Sequence, residues 1–130
     1  MNAPASVPLE QAVAYRMKLA KALERAGGLY ELGDLLERIA DGRMQAHVSR
    51  ETLAVTEISV YPRRRVLTII ILVGDLDDGE NLHRQVFDFA RKMECDAVVA
   101  QGRVGWAHLA KSHGWKTVST NMVFRKEVSP

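Results

Sequence analysis

Residues 66–73, with the sequence VLTIIILV, constrain the fold of this chain more than any other segment. The run is continuously apolar and β-branched, which is typical of a central strand that is buried on both faces. It is far shorter than the roughly 20 apolar residues that cross a bilayer. The sequence therefore predicts a sheet with residues 66–73 at its core, in an α/β domain that mixes helices and strands.

Two helices are predicted before this strand. The first spans residues 8–26, opens at Pro8 and stops at Gly27-Gly28. The second ends at residues 41–42, although Gly33 inside it costs about 1 kcal/mol relative to alanine. Both have apolar residues at helical spacing, namely Leu9, Ala12, Val13, Met17, Ala20 and Leu23 in the first and Leu29, Leu32, Leu35, Leu36 and Ile39 in the second.

Residues 44–60 predict two strands joined by a short polar turn. In the second of these strands Leu53 and Val55 lie on one face, whereas Ile58 lies on the other. This change of phase predicts a bulge or twist near residues 56–57.

The segment after the central strand predicts a helix, a strand, a helix and a final strand. A helix with Asn81 as its N-cap leads to a short buried strand at residues 97–100, so the connection to the central strand is a right-handed parallel crossover. A further helix over residues 104–113 ends at Gly114, which adopts the left-handed backbone conformation at little cost. The apolar stripe of the first of these helices consists of Leu82, Val86, Phe89, Ala90 and Met93.

The composition fits one domain over residues 1–130, in which residues 1–28 form an N-terminal helix that packs on the domain or extends as an arm to partners. With 47% hydrophobic and 26% charged residues, the chain has a globular composition and no apolar run of membrane length. No secretory signal is recognised, and the one cysteine, Cys95, cannot form an internal disulfide, so an intracellular protein is expected. The net charge of +2 is well short of a nucleic-acid-binding composition.

The element order and two segments near the end of the chain resemble a known family. The segment HLAKSHGWKTVSTNMVFRKE is similar to the helix-to-strand passage of GNAT-type N-acetyltransferases. The combination of GDL, a helix that ends in an acidic residue and cysteine, QGRVGWAHL and a closing Lys-Glu resembles short GNAT-like proteins of tailed phages and prophages, over residues 30–128. The resemblance implies a GNAT-like three-layer fold that lacks the first strand and carries an added N-terminal helix.

The resemblance also implies where a cofactor would bind, because GNAT enzymes hold the coenzyme A pyrophosphate on a glycine-rich backbone nest after the fourth strand. The corresponding loop in this chain has a different glycine spacing, and its carboxylates would repel the phosphates. We therefore expect a degenerate loop that caps the next helix with negative charge and binds no cofactor. The loop contains Gly74, Asp75, Asp77, Asp78, Gly79 and Glu80.

Catalytic groups are incomplete by the same comparison. Many members use a tyrosine of the last helix as general acid, and counting back from Gly114 puts Ala110 at that position. Glu57 is the candidate for a general base, since it is the one carboxylate within the predicted strand beside the phase change. The other interpretation of Glu57 is an exposed strand residue.

Two further groups are candidates for contacts with other molecules. Arg63, Arg64 and Arg65 form a basic turn that could bind phosphate, nucleic acid or an acidic protein surface, or could simply be solvated. Arg103 and Trp106 either secure the last helix on the sheet or present an interaction hot spot. The four histidines lack metal-ligand spacing, so no metal site is expected.

These observations lead to two hypotheses of function. The first is a non-catalytic GNAT-fold protein of phage or prophage origin, which acts through protein contacts as a virion or particle-assembly component in the host cytoplasm or the virion. Its expected partners are other phage structural proteins in an oligomer or larger assembly, with no membrane and only weak indications of nucleic-acid contact. The alternative is an acetyl-coenzyme A-dependent N-acetyltransferase with an atypical cofactor loop and Glu57 as its base. Fold alone does not decide between them.

Overall fold

The computed structural model describes residues 7–26, 28–74, 79–100 and 114–116 of the chain. In this part of the chain, four strands form one sheet in the order β1-β2-β3-β4. The helices are α1 (Leu9–Val13), α2 (Arg16–Arg25), α3 (Leu32–Ala40) and α4 (Gly79–Lys92), and the strands are β1 (Met44–Ser49), β2 (Thr52–Val60), β3 (Arg65–Gly74) and β4 (Ala97–Ala100).

Strand β3 occupies the interior of the sheet, as the apolar run predicted. It pairs with β2 in antiparallel fashion and with β4 in parallel fashion, so the predicted crossover through α4 is confirmed. Among the described residues, the pairing with β4 runs from Val66 to Ile69, opposite Ala97 to Ala100. The second half of β3 extends beyond this pairing.

A bulge interrupts the β2–β3 ladder at the predicted place. Val55 lies opposite Ile71 while Thr56 lies opposite Ile69, so the extra residue is Ile70 on β3 and not a residue of β2. The change of phase that suggested the bulge has a different cause. Because both faces of the sheet are covered, Val55 packs into one apolar core and Ile58 into the other.

The molecule has three layers, with α1, α2 and α3 on one face of the sheet and α4 on the other. The first core contains Leu19, Leu35, Leu53, Val55 and Ile71 among its buried residues. The second core contains Ala54, Leu67, Leu82, Val86 and Phe89. Burial of the apolar stripe on α4 confirms the prediction for that helix.

The N-terminal helical region departs from its prediction as one helix. It breaks at Ala14 and Tyr15 into two helices, and Met17 on the predicted apolar face is 70% exposed. Leu19 is buried instead of Met17, because α2 presents Leu19 and Leu23, one turn apart, to the sheet. The region packs on its own domain through these residues.

Helix α3 begins three residues later than the apolar spacing suggested, and Leu29 is exposed. The backbone N–H of Glu31 donates a hydrogen bond of 2.9 Å to the Asp34 carboxylate, which caps the first turn and sets the start of the helix.

The sheet starts with β1 among the described residues, which agrees with a GNAT-like arrangement without its first strand. The backbone N–H of Val7 nevertheless donates a 2.8 Å hydrogen bond to the carbonyl of Ala46 on β1. The chain therefore enters the domain along the edge of the sheet. None of the helices in the described ranges has the length and apolar character needed to cross a membrane.

Candidate functional site

The carboxyl end of β3 is the place where the resemblance puts a cofactor, and Gly74 is its last residue. Gly74 has a φ of +114°, and a Cβ at this position would collide with the backbone of Glu51 and Thr52 in the neighbouring turn. The glycine is therefore required for close packing of β3 against the β1–β2 turn. Asp75, Asp77 and Asp78 lie outside the described residues.

Helix α4 follows with Gly79 as its first residue, two positions before the predicted N-cap Asn81. Asn81 lies inside the first turn, so the prediction of its capping role is wrong. Its side-chain Nδ2 donates a 2.7 Å hydrogen bond to the hydroxyl of Ser49 at the end of β1. Glu80 is exposed in the same turn, where its negative charge is favourable at the positive end of the helix dipole.

The β1–β2 turn is consequently held from three directions. Asn81 binds Ser49 at the end of β1, and Gly74 packs against the backbone of Glu51 in the turn. The Tyr15 hydroxyl donates a 2.9 Å hydrogen bond to the carbonyl of Arg50. Arg50 has a φ of +54°, so a residue other than glycine takes the left-handed backbone conformation in this turn. These contacts could not be predicted from the sequence, because they join residues more than twenty positions apart.

Glu57 lies on the sheet face that α3 covers. Its carboxylate forms an ion pair of 3.8 Å with Arg38 of α3, and its side chain is 27% exposed. The Arg38 guanidinium in turn lies 5.3 Å from the ring centre of Tyr30, within cation–π range. The carboxylate is thus adjacent to the bulge, as predicted, with a guanidinium beside it; its role as a base stays a prediction.

A buried polar network crosses β1 and β2 on the face that α4 covers. His47 is 1% exposed, its Nε2 lies 3.0 Å from the Thr56 hydroxyl, and its ring contacts Phe89 edge-on at 4.9 Å. The Thr56 hydroxyl donates a hydrogen bond to Oε1 of Gln45 at 3.0 Å, so it accepts the hydrogen bond from the N–H at Nε2 of His47. Burial lowers the pKa of His47 from 6.5 to about 4.

This network is inaccessible to a substrate, because the imidazole is enclosed by the second core. With Nε2 carrying the proton, Nδ1 of His47 is a buried acceptor without a hydrogen-bond partner. The neutral ring therefore stabilises the positions of β1 and β2 rather than taking part in chemistry.

An aromatic cluster secures Trp115 to α4. Its indole Nε1 donates a 3.0 Å hydrogen bond to Nε2 of His83, and Phe87 contacts both rings, with centroids 4.2 Å from His83 and 5.8 Å from Trp115. The preceding Gly114 has a φ of +89°, as predicted for a left-handed position. This cluster joins two segments of the chain and forms no described pocket.

The basic turn between β2 and β3 divides into two parts. Arg63 and Arg64 are exposed. Arg65 is engaged within the fold, since its Nε donates to the carbonyl of Met93 at 2.9 Å and its backbone N–H donates to the Asp96 carboxylate at 2.8 Å. We retain Arg63 and Arg64 as contact candidates.

The remaining candidate residues Arg103, Trp106 and Ala110 lie outside the described residues, and the predictions for them stay open. Among the residues that the structure does describe, no three histidine, cysteine or acidic side chains form a group that could hold a metal. Cys95 is a half-buried free thiol.

The residues at the end of β3 differ from those of a pyrophosphate site. A pyrophosphate site needs backbone N–H groups that the ligand can approach and positive charge around it. Here Gly74 is committed to packing against Glu51, and the following loop contributes four carboxylates, Asp75, Asp77, Asp78 and Glu80. Negative charge at this density opposes the binding of a polyanion.

The whole chain is similar to several acetyltransferases of known structure. An acetyltransferase from Trypanosoma brucei superimposes with a TM-score of 0.67 at 16% identity, over 93% of this chain and 96% of that one. The ribosomal-protein-alanine N-acetyltransferase of Brucella melitensis biovar Abortus 2308 gives 0.66 at 14% identity, over 94% and 98%. Glucosamine-6-phosphate N-acetyltransferase from Arabidopsis thaliana gives 0.66 at 14% identity, over 94% and 96%.

No protein-family profile matches the sequence, and no curated protein matches it either. At this level of identity the structural likeness concerns the fold alone, and it agrees with the mixed sheet, the layers and the crossover described above. The chain therefore has the fold of the GNAT acetyltransferases.

Proposed function

We propose that this chain is a non-catalytic GNAT-fold protein that acts through contacts with other proteins. The observation that carries the proposal is the packing of Gly74 against the backbone of Glu51 at the end of β3. In the sequence, four acidic residues follow where the resemblance implies a glycine-rich phosphate-binding nest. A GNAT scaffold without this nest has lost the part that holds the acyl donor. The protein then needs no cofactor.

Two further residues support the same conclusion. Glu57 is ion-paired with Arg38, so one side of its carboxylate is already occupied by a cation. Ala110 stands where many GNAT enzymes have the tyrosine that protonates the thiolate, and alanine has no proton to give.

The biological setting belongs to the proposal as well. The GDL and QGRVGWAHL motifs resemble those of short GNAT-like proteins of tailed phages and prophages. On this basis we propose a virion or particle-assembly component, present in the host cytoplasm or in the virion, whose partners are other phage structural proteins in an oligomer or larger assembly.

Binding of acetyl-coenzyme A by the full chain tests the proposal. A ligand at 100 times its dissociation constant stabilises a fold by roughly 2.7 kcal/mol, so thermal shift and titration calorimetry at millimolar ligand would detect even weak binding. We expect no binding heat and no change in Tm. Glucosamine-6-phosphate N-acetyltransferase serves as the positive control, and a saturable upward shift of this chain would refute the non-catalytic proposal.

The second candidate function is an acetyl-coenzyme A-dependent N-acetyltransferase. It is supported by the superposition of the chain on acetyltransferases and by the position of Glu57 beside the bulge. In this case Glu57 would accept the proton of the attacking amine, directly or through water. Acetyl transfer to an amine that is lost in Glu57→Gln would establish it.

A further inference from the structure

The tip of the β2–β3 hairpin, residues 60–64, exposes apolar and basic side chains together. Val60 is 73% exposed and Tyr61 is 57% exposed, which is unusual for large apolar groups so close to a sheet. Pro62, Arg63 and Arg64 complete the turn and are exposed as well. Tyrosine and arginine are the residue types that most often dominate the energy of protein interfaces.

The backbone of the hairpin tip is fixed before any partner arrives. The N–H of Tyr61 donates a 2.8 Å hydrogen bond to the carbonyl of Arg64, which closes the turn. Arg65 ties the base of the hairpin to the domain, because its Nε donates a hydrogen bond to the carbonyl of Met93. Its backbone N–H donates to the Asp96 carboxylate, and its carbonyl accepts from the backbone N–H of Asp96. A preformed loop loses less conformational entropy on binding than a flexible one.

The two guanidinium groups at the tip are not neutralised within the described part of the molecule. Three other arginines there have carboxylate partners, since Arg38 pairs with Glu57, Arg43 with Asp41 and Arg91 with Asp88. Arg63 and Arg64 have no such partner among the described residues. Their charge is therefore available to an acidic surface.

We propose that the hairpin tip is a docking element for a protein surface that carries carboxylates around an apolar recess. Tyr61 and Val60 would enter the recess, and Arg63 and Arg64 would pair with the surrounding carboxylates. The inference rests on the proposed function, because it names the chemistry of one partner through which the protein acts.

A nucleic acid is a poorer fit to this surface. Only two exposed cations stand at the tip, whereas binding to a phosphate backbone depends on neutralising several charges.

Titration of the isotope-labelled full chain, followed by NMR, tests the docking element with three probes. These are a peptide that alternates glutamate with leucine and tryptophan, a peptide of glutamate alone, and a single-stranded oligonucleotide. We expect the mixed peptide to bind most tightly and to shift the amide signals of residues 58–66. Tyr61→Ala and the double variant Arg63→Glu/Arg64→Glu should each weaken that binding about ten-fold or more, the loss typical of hot-spot residues.

The matched control is Lys18→Glu/Lys21→Glu, which makes the same change in net charge at two exposed positions of α2 and should leave the affinity unchanged. The proposal is overturned if the mixed peptide does not bind, if Tyr61→Ala has no effect, if the control variant loses as much affinity as the hairpin variant, or if the oligonucleotide binds the tip more tightly. The result is independent of acetyl-coenzyme A. If the mixed peptide does not bind, the hairpin is refuted as a contact surface. If acetyl-coenzyme A binds, the proposed non-catalytic function itself is refuted.

Discussion

The side-chain amide of Asn81 lies 2.7 Å from the hydroxyl of Ser49 and fastens the first turn of α4 to the end of β1. These residues are 32 positions apart and sit on different layers. Their bond holds the start of α4 beside the turn against which Gly74 packs, so the junction of β3 and α4 is maintained by structural contacts independent of any ligand.

Removal of this bond should destabilise the protein measurably. We expect Asn81→Ala to lower the free energy of unfolding by about 1–2 kcal/mol, because the Ser49 hydroxyl is buried and loses its partner. Urea denaturation followed by circular dichroism measures the change. Arg84→Ala, at an exposed position of the same helix, is the control and should cost under about 0.5 kcal/mol.

Three glycine-to-alanine substitutions should rank by their local geometry. Gly74→Ala combines a positive φ with a backbone collision and should cost about 3 kcal/mol or more. Gly42→Ala has a positive φ in open space and should cost about 1 kcal/mol. Gly33→Ala lies within α3 in open space and should stabilise by about 0.5–1 kcal/mol. A different order in chemical denaturation would contradict the packing described at Gly74.

The buried His47 predicts a specific acid sensitivity. Its pKa is 6.5 in the unfolded chain and about 4 in the fold, so the unfolded state binds a proton first as the pH falls. The stability that the neutral ring provides is complete above pH 6.5 and is lost towards pH 4, by roughly 3–4 kcal/mol at most. Denaturation curves at several pH values measure it, and His47→Leu should flatten the dependence within this window. An equally steep dependence in that variant would assign the effect to other groups.

The ion pair between Glu57 and Arg38 should contribute little to stability, since it is 3.8 Å long and partly exposed. We expect Glu57→Gln to change the free energy of unfolding by less than about 1 kcal/mol. Differential scanning calorimetry measures this, with Arg38→Gln as the companion variant. Because the fold survives, loss of acetyl transfer in Glu57→Gln would report on chemistry; a large fall in Tm would show that the carboxylate is a structural group.

The strands and their order could be predicted from the sequence because burial on both faces leaves an unmistakable apolar run in β3. Helix α4 could be predicted for a related reason, since its stripe from Leu82 to Phe89 follows one face. The break at Tyr15 could not, because the apolar spacing continues through it, and the Tyr15 hydroxyl bonds to the carbonyl of Arg50, 35 positions away. The same holds for Asn81, whose partner lies on another strand.

The bulge beside Glu57 occurs where it was predicted, but the change of phase that suggested it comes from burial on both faces of the sheet. Its extra residue, Ile70, lies on the neighbouring strand, and pairing register cannot be read from one strand alone. His47 gave no signal, since a histidine in an alternating strand has the same pattern whether it is exposed or buried. The use of Arg65 inside the fold likewise depends on the distant Met93.

The bulge at Ile70 limits how β3 can change in length. Leu67 and Ile69, before the bulge, and Leu72, after it, all contact the second core. The extra residue Ile70 therefore changes the residues that face this core from odd-numbered to even-numbered positions. Loss of Ile70 alone would restore a regular ladder, with Leu72 still facing the second core and Gly74 still opposite Thr52. A deletion of one residue that keeps the register on both sides is therefore confined to the bulge.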